Sequence, residues 1–370
     1  MKVVTTYSSR ALAIGAAIAL GSISSANQEY EVVNIGNLSG ADFGHASAIN
    51  NSNVIVGWSS TGGVKDGFQW SEQYGMIDMN MWGFDSCVMN DINDNGRMVG
   101  SFTKDGVTKG YIHVMPFPGF NYIYYNEPVG NDTDSQTFGL NNFEHMVGNT
   151  GISPTDRRAA GWTINFGGFT VPGYGPQEAS QLYCINDADT MGGYAKVNGT
   201  QRATLFFNDQ TLLDLHGALP GANASTVSNL NDQGWATGIY HNANNVTWSF
   251  LYNPELGVQT FENLVGWDSM SFHEVSGNGV VVGTGFGGRN GDRATRWTQE
   301  TGLLDLNSLI SANTGWVLQD ATDVNENGYI IGTGTYNGVQ SNFLLRPVPE
   351  PAGILALGLG CLALLRRRKN

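Results

Sequence analysis

The sequence predicts an all-β fold, a seven-bladed β-propeller built from four-stranded blades, and three observations support this prediction. A nine-residue pattern recurs seven times in the 370-residue chain. Short apolar or aromatic segments of strand length follow each copy. No long segment between Asn27 and Pro347 has the 3.6-residue periodicity of an amphipathic helix. Four short strands at a period of about 40 to 50 residues are typical of a propeller blade.

The repeated pattern is apolar-Asn-(Asp/Asn)-x-Gly-x-apolar-apolar-Gly, and its clearest copy runs from Ile92 to Gly100. We name its second residue the anchor. The seven anchors are Asn50, Asn93, Asn141, Asn186, Asn231, Ser276 and Asn325. Successive anchors lie 43 to 49 residues apart. One period therefore holds one supersecondary unit.

Each unit predicts four strands joined by turns. The anchor segment predicts a tight primed hairpin turn, because Asn and Gly tolerate the positive φ that such turns need. An aromatic strand follows the last glycine of the pattern, as in Gly67 to Trp70, and a second apolar strand follows it, as in Leu303 to Leu306. The rings of Trp70, Trp162 and Trp297 lie inside such strands and are expected in the core.

The seventh unit lacks a fourth strand, and a matching segment lies at the other end of the chain. Tyr30 to Leu38 has the character of the fourth strands elsewhere. If it completes the seventh blade, the ring closes and leaves no exposed sheet edge there. The alternatives are a β-solenoid or a repeat β-sandwich array, but a solenoid needs capping repeats that the sequence lacks.

Residues 1–26 predict a secretory signal peptide. Lys2 and Arg10 lie in a polar first region, Ala11 to Leu20 form an apolar core, and Ser24-Ser25-Ala26 has the small residues that signal peptidase requires. We expect cleavage after Ala26, which leaves residues 27–346 as the seven-repeat domain.

Residues 347–370 predict a sorting tail in three parts. The first is Val348, Pro349, Glu350 and Pro351, the second is the apolar segment 352–365, and the third is the basic end 366–369, with Arg366, Arg367 and Arg368. Fourteen helical residues span about 21 Å, less than the roughly 30 Å of a hydrocarbon core. Membrane anchoring through the tail is therefore expected to be transient, with the basic end on the cytoplasmic side.

The tail resembles the PEP-CTERM sorting signal of Gram-negative bacteria. The resemblance implies export, processing near Pro349 to Pro351 by an exosortase-type protease, and delivery to the cell surface or extracellular matrix. Ala48 to Leu345 resembles HAF-type extracellular repeats. That family has no established catalytic motif, so this resemblance implies an architecture and an extracellular setting only.

Charge and cysteine content limit the partners. The net charge is −14, and it becomes more negative when the basic terminal segments are removed. Such a surface repels phosphate backbones, which excludes nucleic acid as a partner. Cys87 and Cys184 occupy different places in the repeat, so we expect two buried free thiols rather than a disulfide.

The sequence predicts a non-enzymatic structural or interaction module, with extracellular polysaccharide as a candidate ligand. Common hydrolase, zinc and nucleotide motifs do not occur in the sequence, and the six histidines fall at scattered offsets from their anchors. The alternative is an extracellular lyase or glycosidase with dispersed His, Arg or carboxylate groups. Convergence of such groups, with Arg, at the central channel would favour the enzyme. A channel lined by Gly and Asn would favour the scaffold.

Two anchor segments match the first half of a calcium loop. The candidate ligands are Asp91, Asn93, Asn95, Asp323, Asn325 and Asn327. The twelfth positions, Phe102 and Gly334, lack the bidentate Glu of an EF-hand. An Asn-rich hairpin turn is the favoured interpretation, and weak calcium binding is the alternative hypothesis. No other cofactor is expected.

Three aromatic residues are candidates for glycan binding. Phe84, Trp267 and Trp316 each lie nine residues before an anchor, in the connection that leads to the next blade. Exposed rings there would stack on a pyranose. The alternative is that the rings pack between blades, since large aromatic side chains are mostly buried.

Overall fold

A computed structural model describes residues 29–117, 120–153, 156–164, 166–175, 178–261 and 266–348. The predicted signal peptide and the tail from Pro349 onward lie outside the described residues, so both stay predictions. Within the described part of the chain, no helix has the length and apolar character needed to cross a membrane.

The predicted architecture is confirmed. Twenty-eight strands form seven four-stranded antiparallel sheets, arranged as a seven-bladed propeller. The only helical segments among the described residues are two 3-10 turns, His216–Ala218 and Leu306–Ser308.

The strand bounds follow the repeat frame. The first strand is β1 (Tyr30–Gly36), which belongs to blade 7. Blade 1 comprises β2 (Phe43–Ile49), β3 (Ile55–Thr61), β4 (Val64–Ser71) and β5 (Gly75–Asp78). Blade 2 comprises β6 (Ser86–Ile92), β7 (Met98–Lys104), β8 (Val107–Phe117) and β9 (Phe120–Asn126). Blade 3 comprises β10 (Asp134–Leu140), β11 (His145–Ser153), β12 (Asp156–Thr163) and β13 (Gly167–Thr170). Blade 4 comprises β14 (Ser180–Ile185), β15 (Met191–Val197), β16 (Thr200–Phe206) and β17 (Leu212–Asp214). Blade 5 comprises β18 (Ala222–Leu230), β19 (Ala236–Asn242), β20 (Thr247–Asn253) and β21 (Gly257–Phe261). Blade 6 comprises β22 (Ser269–Val275), β23 (Val281–Phe286), β24 (Arg293–Thr298) and β25 (Gly302–Asp305). Blade 7 comprises β26 (Trp316–Val324), β27 (Ile330–Tyr336), β28 (Val339–Pro347) and β1.

Both ends of the described chain build blade 7. Strand β1 pairs antiparallel with β28, with Tyr30 opposite Pro347 and Val33 opposite Leu344. The backbone N–H of Val348 also donates to the carbonyl of Glu29 at 2.8 Å. The predicted closure is therefore confirmed, and the chain enters and leaves the ring at one point.

The anchor turns are hairpins, but the predicted tight primed geometry is wrong. Five residues connect the two strands in blade 1, where Ile49 pairs with Ile55. A primed turn of type I′ needs two consecutive residues with positive φ. Here one residue per turn has it, three positions after the anchor: Asn53, Gly96, Glu144, Asp189, Gly234, Gly279 and Gly328.

The anchor side chain explains the longer turn. The Oδ1 atom of Asn93 accepts the backbone N–H of Asn95 at 3.1 Å and that of Arg97 at 2.9 Å. A side-chain acceptor thus satisfies two donors that a tight turn would pair through the backbone. The loop needs only one left-handed residue as a result.

The hydrophobic core is divided among the seven interfaces between blades. Seven clusters of buried apolar side chains lie one at each interface. Trp70, Trp162 and Trp297 are buried in these clusters, as predicted. Every interface between blades therefore buries apolar surface, and each blade depends on its two neighbours.

The two described cysteines are buried free thiols, as predicted. Burial raises the pKa of the Cys87 thiol to about 12, and burial also raises the pKa of Cys184. Neither side chain forms a reactive thiolate near neutral pH.

Candidate functional site in the central channel

The seven innermost strands surround a central cavity of about 490 Å³. Its walls carry Asn, Asp, Glu, Ser, Thr and His side chains, together with the rings of Trp58, Phe138 and Tyr183. None of the described residues that line it is Lys or Arg. The channel is therefore polar and acidic.

A ring of asparagine side chains joins neighbouring blades at one end of the channel. Each anchor Nδ2 donates to the backbone carbonyl of the next anchor at 2.9 to 3.1 Å. The donor–acceptor pairs are Asn50–Asn93, Asn93–Asn141, Asn141–Asn186, Asn186–Asn231, Asn231–Ser276 and Asn325–Asn50. Ser276 carries no amide, so the ring is interrupted between blades 6 and 7.

The residue after the anchor makes a second set of contacts between blades. The backbone N–H of Asn51 donates to the Asp94 carboxylate at 2.9 Å, and that of Asn142 donates to Asp187 at 2.8 Å. The N–H of Glu326 donates to Asn51 Oδ1 at 2.9 Å. The polar residues of the repeat thus hold the ring together.

The predicted calcium ligands already have protein partners. Asp91 accepts the N–H of Ile92 at 2.7 Å and that of Leu140 at 2.8 Å. Asp323 accepts equivalent bonds at 2.6 and 2.7 Å, and the amides of Asn93, Asn95, Asn325 and Asn327 donate to the next blade. No group of three or more His, Cys, Asp or Glu side chains is placed to hold a metal ion in the described ranges. Calcium binding stays a prediction.

Three half-buried carboxylates lie at the same offset, two residues before their anchors. They are Asp91, Glu274 and Asp323. Burial raises the pKa of Asp91 to about 6 and that of Asp323 to about 7, while backbone donors oppose the shift. Burial, together with the charge of Asp323, raises the pKa of Glu274 well above its usual value. Glu274 was missed from the sequence, although its offset from Ser276 would have revealed it.

Two of the scattered histidines meet a carboxylate in the channel. His273 Nε2 lies 3.3 Å from Asp320 Oδ1, and the Thr284 hydroxyl donates to the same oxygen. Burial tends to raise the pKa of Asp320, but the bonds from His273 and Thr284 and the nearby charges hold it at about 2. Burial lowers the pKa of His45, which lies within the electrostatic reach of Asp320 and His273.

Trp58 completes this group, which we name the histidine cluster: His45, His273, Asp320 and Trp58. The rings of His45 and Trp58 lie 5.6 Å apart, and Lys65 Nζ lies 3.8 Å from the centre of the Trp58 ring. His45 and Asp320 both lie five residues before their anchors. That shared offset was the available sequence signal, although the two residues are far apart in the chain.

The three predicted glycan-binding rings do not form a shared exposed surface. Phe84 is buried and stacks on Phe102 with centroids 4.0 Å apart. Trp316 is buried against Phe343 with centroids 5.8 Å apart. Trp267 is half-buried and covers Gly285. Burial of Phe84 and Trp316 favours the alternative, in which these rings pack within the ring of blades.

No protein-family model and no curated protein matches the chain. Solved structures do match, and the likeness is one of fold, that of the seven-bladed propeller described above. The chain is similar to streptogramin B lyase, with 11% identity, a TM-score of 0.53, and coverage of 88% of this chain and 100% of that chain.

A catalytically inactive virginiamycin B lyase from Staphylococcus aureus, with quinupristin, gives 9% identity, a TM-score of 0.54, and coverage of 86% and 100%. A puromycin hydrolase mutant gives 11% identity and a TM-score of 0.56. The match covers 85% of this chain and 55% of the hydrolase chain. Likeness at such low identity shows the fold alone.

Proposed function

We propose that the chain is an exported, non-enzymatic interaction module of the cell surface or extracellular matrix, and that its channel binds a neutral saccharide. One observation carries the proposal: the channel wall combines carboxylates, amides, hydroxyls and aromatic rings, with no Lys or Arg among its described residues. The anchor residues, in contrast, serve the architecture, because their side chains bond neighbouring blades.

The channel chemistry favours a neutral sugar over an anionic one. Sugar hydroxyls donate to carboxylates and accept from amides, and the aromatic side chains of the wall, Trp58, Phe138 and Tyr183, offer apolar surface to a pyranose. A uronate or sulfated chain would approach the Asp320 carboxylate, whose low pKa keeps it ionised, and no Lys or Arg among the described lining residues would offset that charge.

Export is proposed from the terminal segments. Signal peptidase would remove residues 1–26, and an exosortase-type protease would process the tail near Pro349 to Pro351. Deletion of Val348 to Asn370 should change processing and location while leaving the melting temperature of the purified protein unchanged. Identical processing with and without the tail would overturn this part of the proposal.

The binding test uses residues 27–347 on an array of neutral and acidic glycans. We expect retention on neutral glycans, loss of retention for Trp58→Ala, and full retention for Phe166→Ala, an exposed ring outside the channel. A melting curve checks that each variant is folded. Retention on uronates, or equal retention of both variants, would contradict a neutral saccharide in the channel.

A second candidate function is a polysaccharide-active lyase or glycosidase, and the histidine cluster is the observation that favours it. Asp320 orients His273 as a carboxylate orients a catalytic base. Incubation with each bound glycan, followed by assay for new reducing ends or unsaturated products, separates the two functions. Product that disappears in His273→Gln would favour the enzyme, and binding without product would favour the module.

A further inference from the structure

A second cavity, of about 390 Å³, lies between blades 3 and 4 and is separate from the channel. It lies beside a departure from the repeat. In every blade one residue of the third strand pairs with the residue before the last glycine of the pattern. These residues are Gln69, Ile112, Gly161, Leu205, Leu251, Arg296 and Leu344.

This position faces the following blade. Ile112, Leu205 and Leu251 each belong to the buried cluster shared with the next blade. Blade 3 has Gly161 there, so the interface with blade 4 lacks a side chain that the other interfaces have. The ring of Phe169 occupies part of the space that this side chain would fill, and Phe169 lines the cavity.

The ring of Phe169 lies over Gly161 and forms one wall of the cavity. A Cβ on Gly161 would lie 2.6 Å from Phe169 Cζ, so this ring position requires glycine. Phe169 stays 50% exposed instead of packing on blade 4. Blade 4 forms the opposite wall, where Met191 and Leu212 are partly exposed and pack against the buried Phe206. The two walls leave an open slot between aromatic and thioether surfaces.

Polar side chains lie at the rim of the slot, among them Asp189, Asn208 and Gln210. His145 Nδ1 lies 2.6 Å from Asp189 Oδ1, and Asn141 Nδ2 donates to the same oxygen at 3.0 Å. The carboxylate is therefore fixed in position beside an apolar cavity, where it accepts hydrogen bonds and disfavours an anion.

We propose that this slot binds a neutral aromatic molecule that carries one hydrogen-bond donor. The aromatic group stacks on Phe169 and lies against Met191 and Leu212, and the donor reaches the Asp189 carboxylate. The volume lies at the lower end of the roughly 300 to 1,000 Å³ typical of small-molecule sites. The site is independent of the saccharide proposed for the channel.

The test uses N-phenyl-1-naphthylamine, a neutral diaryl amine with one N–H, whose fluorescence rises in apolar surroundings. Titration of residues 27–347 should give saturable binding with one site per chain. Phe169→Ala should weaken binding about tenfold, the loss of one stacking wall. Phe166→Ala, a matched change at a neighbouring exposed ring, should leave it unchanged.

Two further variants keep the result decisive. Asn208→Trp, in the exposed turn at the rim, should block binding without disturbing the core. Trp58→Ala should bind the dye normally, which separates this slot from the channel. Absence of saturable binding by the folded wild-type protein, or equal binding by Phe169→Ala, Asn208→Trp and Phe166→Ala, would overturn the proposal.

Discussion

At the scale of single residues, each anchor asparagine acts in two places at once. Its Oδ1 closes its own loop, and its Nδ2 bonds the next blade. The preference of Asn for turns is enough to explain its recurrence in the sequence. The sequence therefore predicted the hairpins, but it did not indicate the hydrogen bonds between blades. The turn type was mispredicted for the same reason, because a side-chain acceptor replaced the backbone geometry of a primed turn.

Asn186→Ala should lower the free energy of unfolding by about 2 to 4 kcal/mol. The change removes one buried bond to Asn231 and two partly buried loop-closing bonds, each worth about 1 kcal/mol or more when its partner is left unsatisfied. Urea unfolding measures the loss. Asn244→Ala, at an exposed turn, should change stability by less than about 0.5 kcal/mol, and an equal loss in both variants would refute the role of the anchor.

Ser276→Asn should stabilise the protein by about 0.5 to 1.5 kcal/mol. The new amide would complete the interrupted ring by donating to the carbonyl of Asn325, while its Oδ1 would replace the bond from Val280 N–H to the Ser276 hydroxyl. Thermal unfolding tests this expectation. A lower melting temperature would mean that the position cannot accept an anchor asparagine.

At the scale of elements, closure depends on β1, which pairs with β28 and buries Tyr30 and Ile35. The sequence predicted this pairing because the seventh unit lacked a fourth strand. It could not predict the cavity at Gly161, since the length and aromatic content of that third strand are ordinary. Only the pairing register shows that the glycine stands where other blades carry large side chains.

A chain that begins at Asn37 should unfold at a clearly lower temperature than one that begins at Asn27. The truncation exposes the edge of β28 and opens the hydrophobic clusters of blade 7. Calorimetry gives the midpoints, and light scattering reports association through the free edge. Equal midpoints would show that the ring does not need its closing strand.

At the scale of the whole molecule, the channel joins side chains from distant parts of the chain. His45 and Asp320 share an offset within the repeat, and so do Asp91, Glu274 and Asp323. The positions of the histidine cluster and of the three carboxylates could therefore be located in the repeat, but the sequence did not show which repeat positions face the channel. A bulge in each innermost strand, such as that between Met89 and Asp91, determines which side chains face it.

The contribution of Asp91 and Asp323 to stability should fall as the pH rises from about 4 to about 7. The pKa values of Asp91 and Asp323 are about 6 and about 7 in the folded protein, above the roughly 3.9 of an unfolded Asp. The fold therefore favours the protonated forms. Their contribution is fully present below about pH 4 and is lost as the pH passes through 6 to 7.

Between the unfolded and the folded pKa of each carboxylate, the free energy of unfolding should fall by up to about 1.4 kcal/mol per pH unit. Above the folded pKa it should not fall further on account of that carboxylate. Asp323→Asn should flatten the profile between pH 4 and 7, whereas Asp156→Asn, at an exposed position, should leave it unchanged. Melting temperatures across this range measure both. Equal slopes for the wild type and Asp323→Asn between pH 4 and 7 would contradict a raised pKa for this carboxylate.

The proximity of Glu29 and Val348 determines how the molecule responds to force. A pull applied between these two points acts at the same end of the β1 and β28 ladder, so the hydrogen bonds are loaded one after another, as in a zipper. Thermal unfolding has to disrupt all seven blades, whereas tension between these two points acts first on the pairing of β1 with β28 alone. A molecule that is thermally robust can therefore be mechanically weak along this one direction.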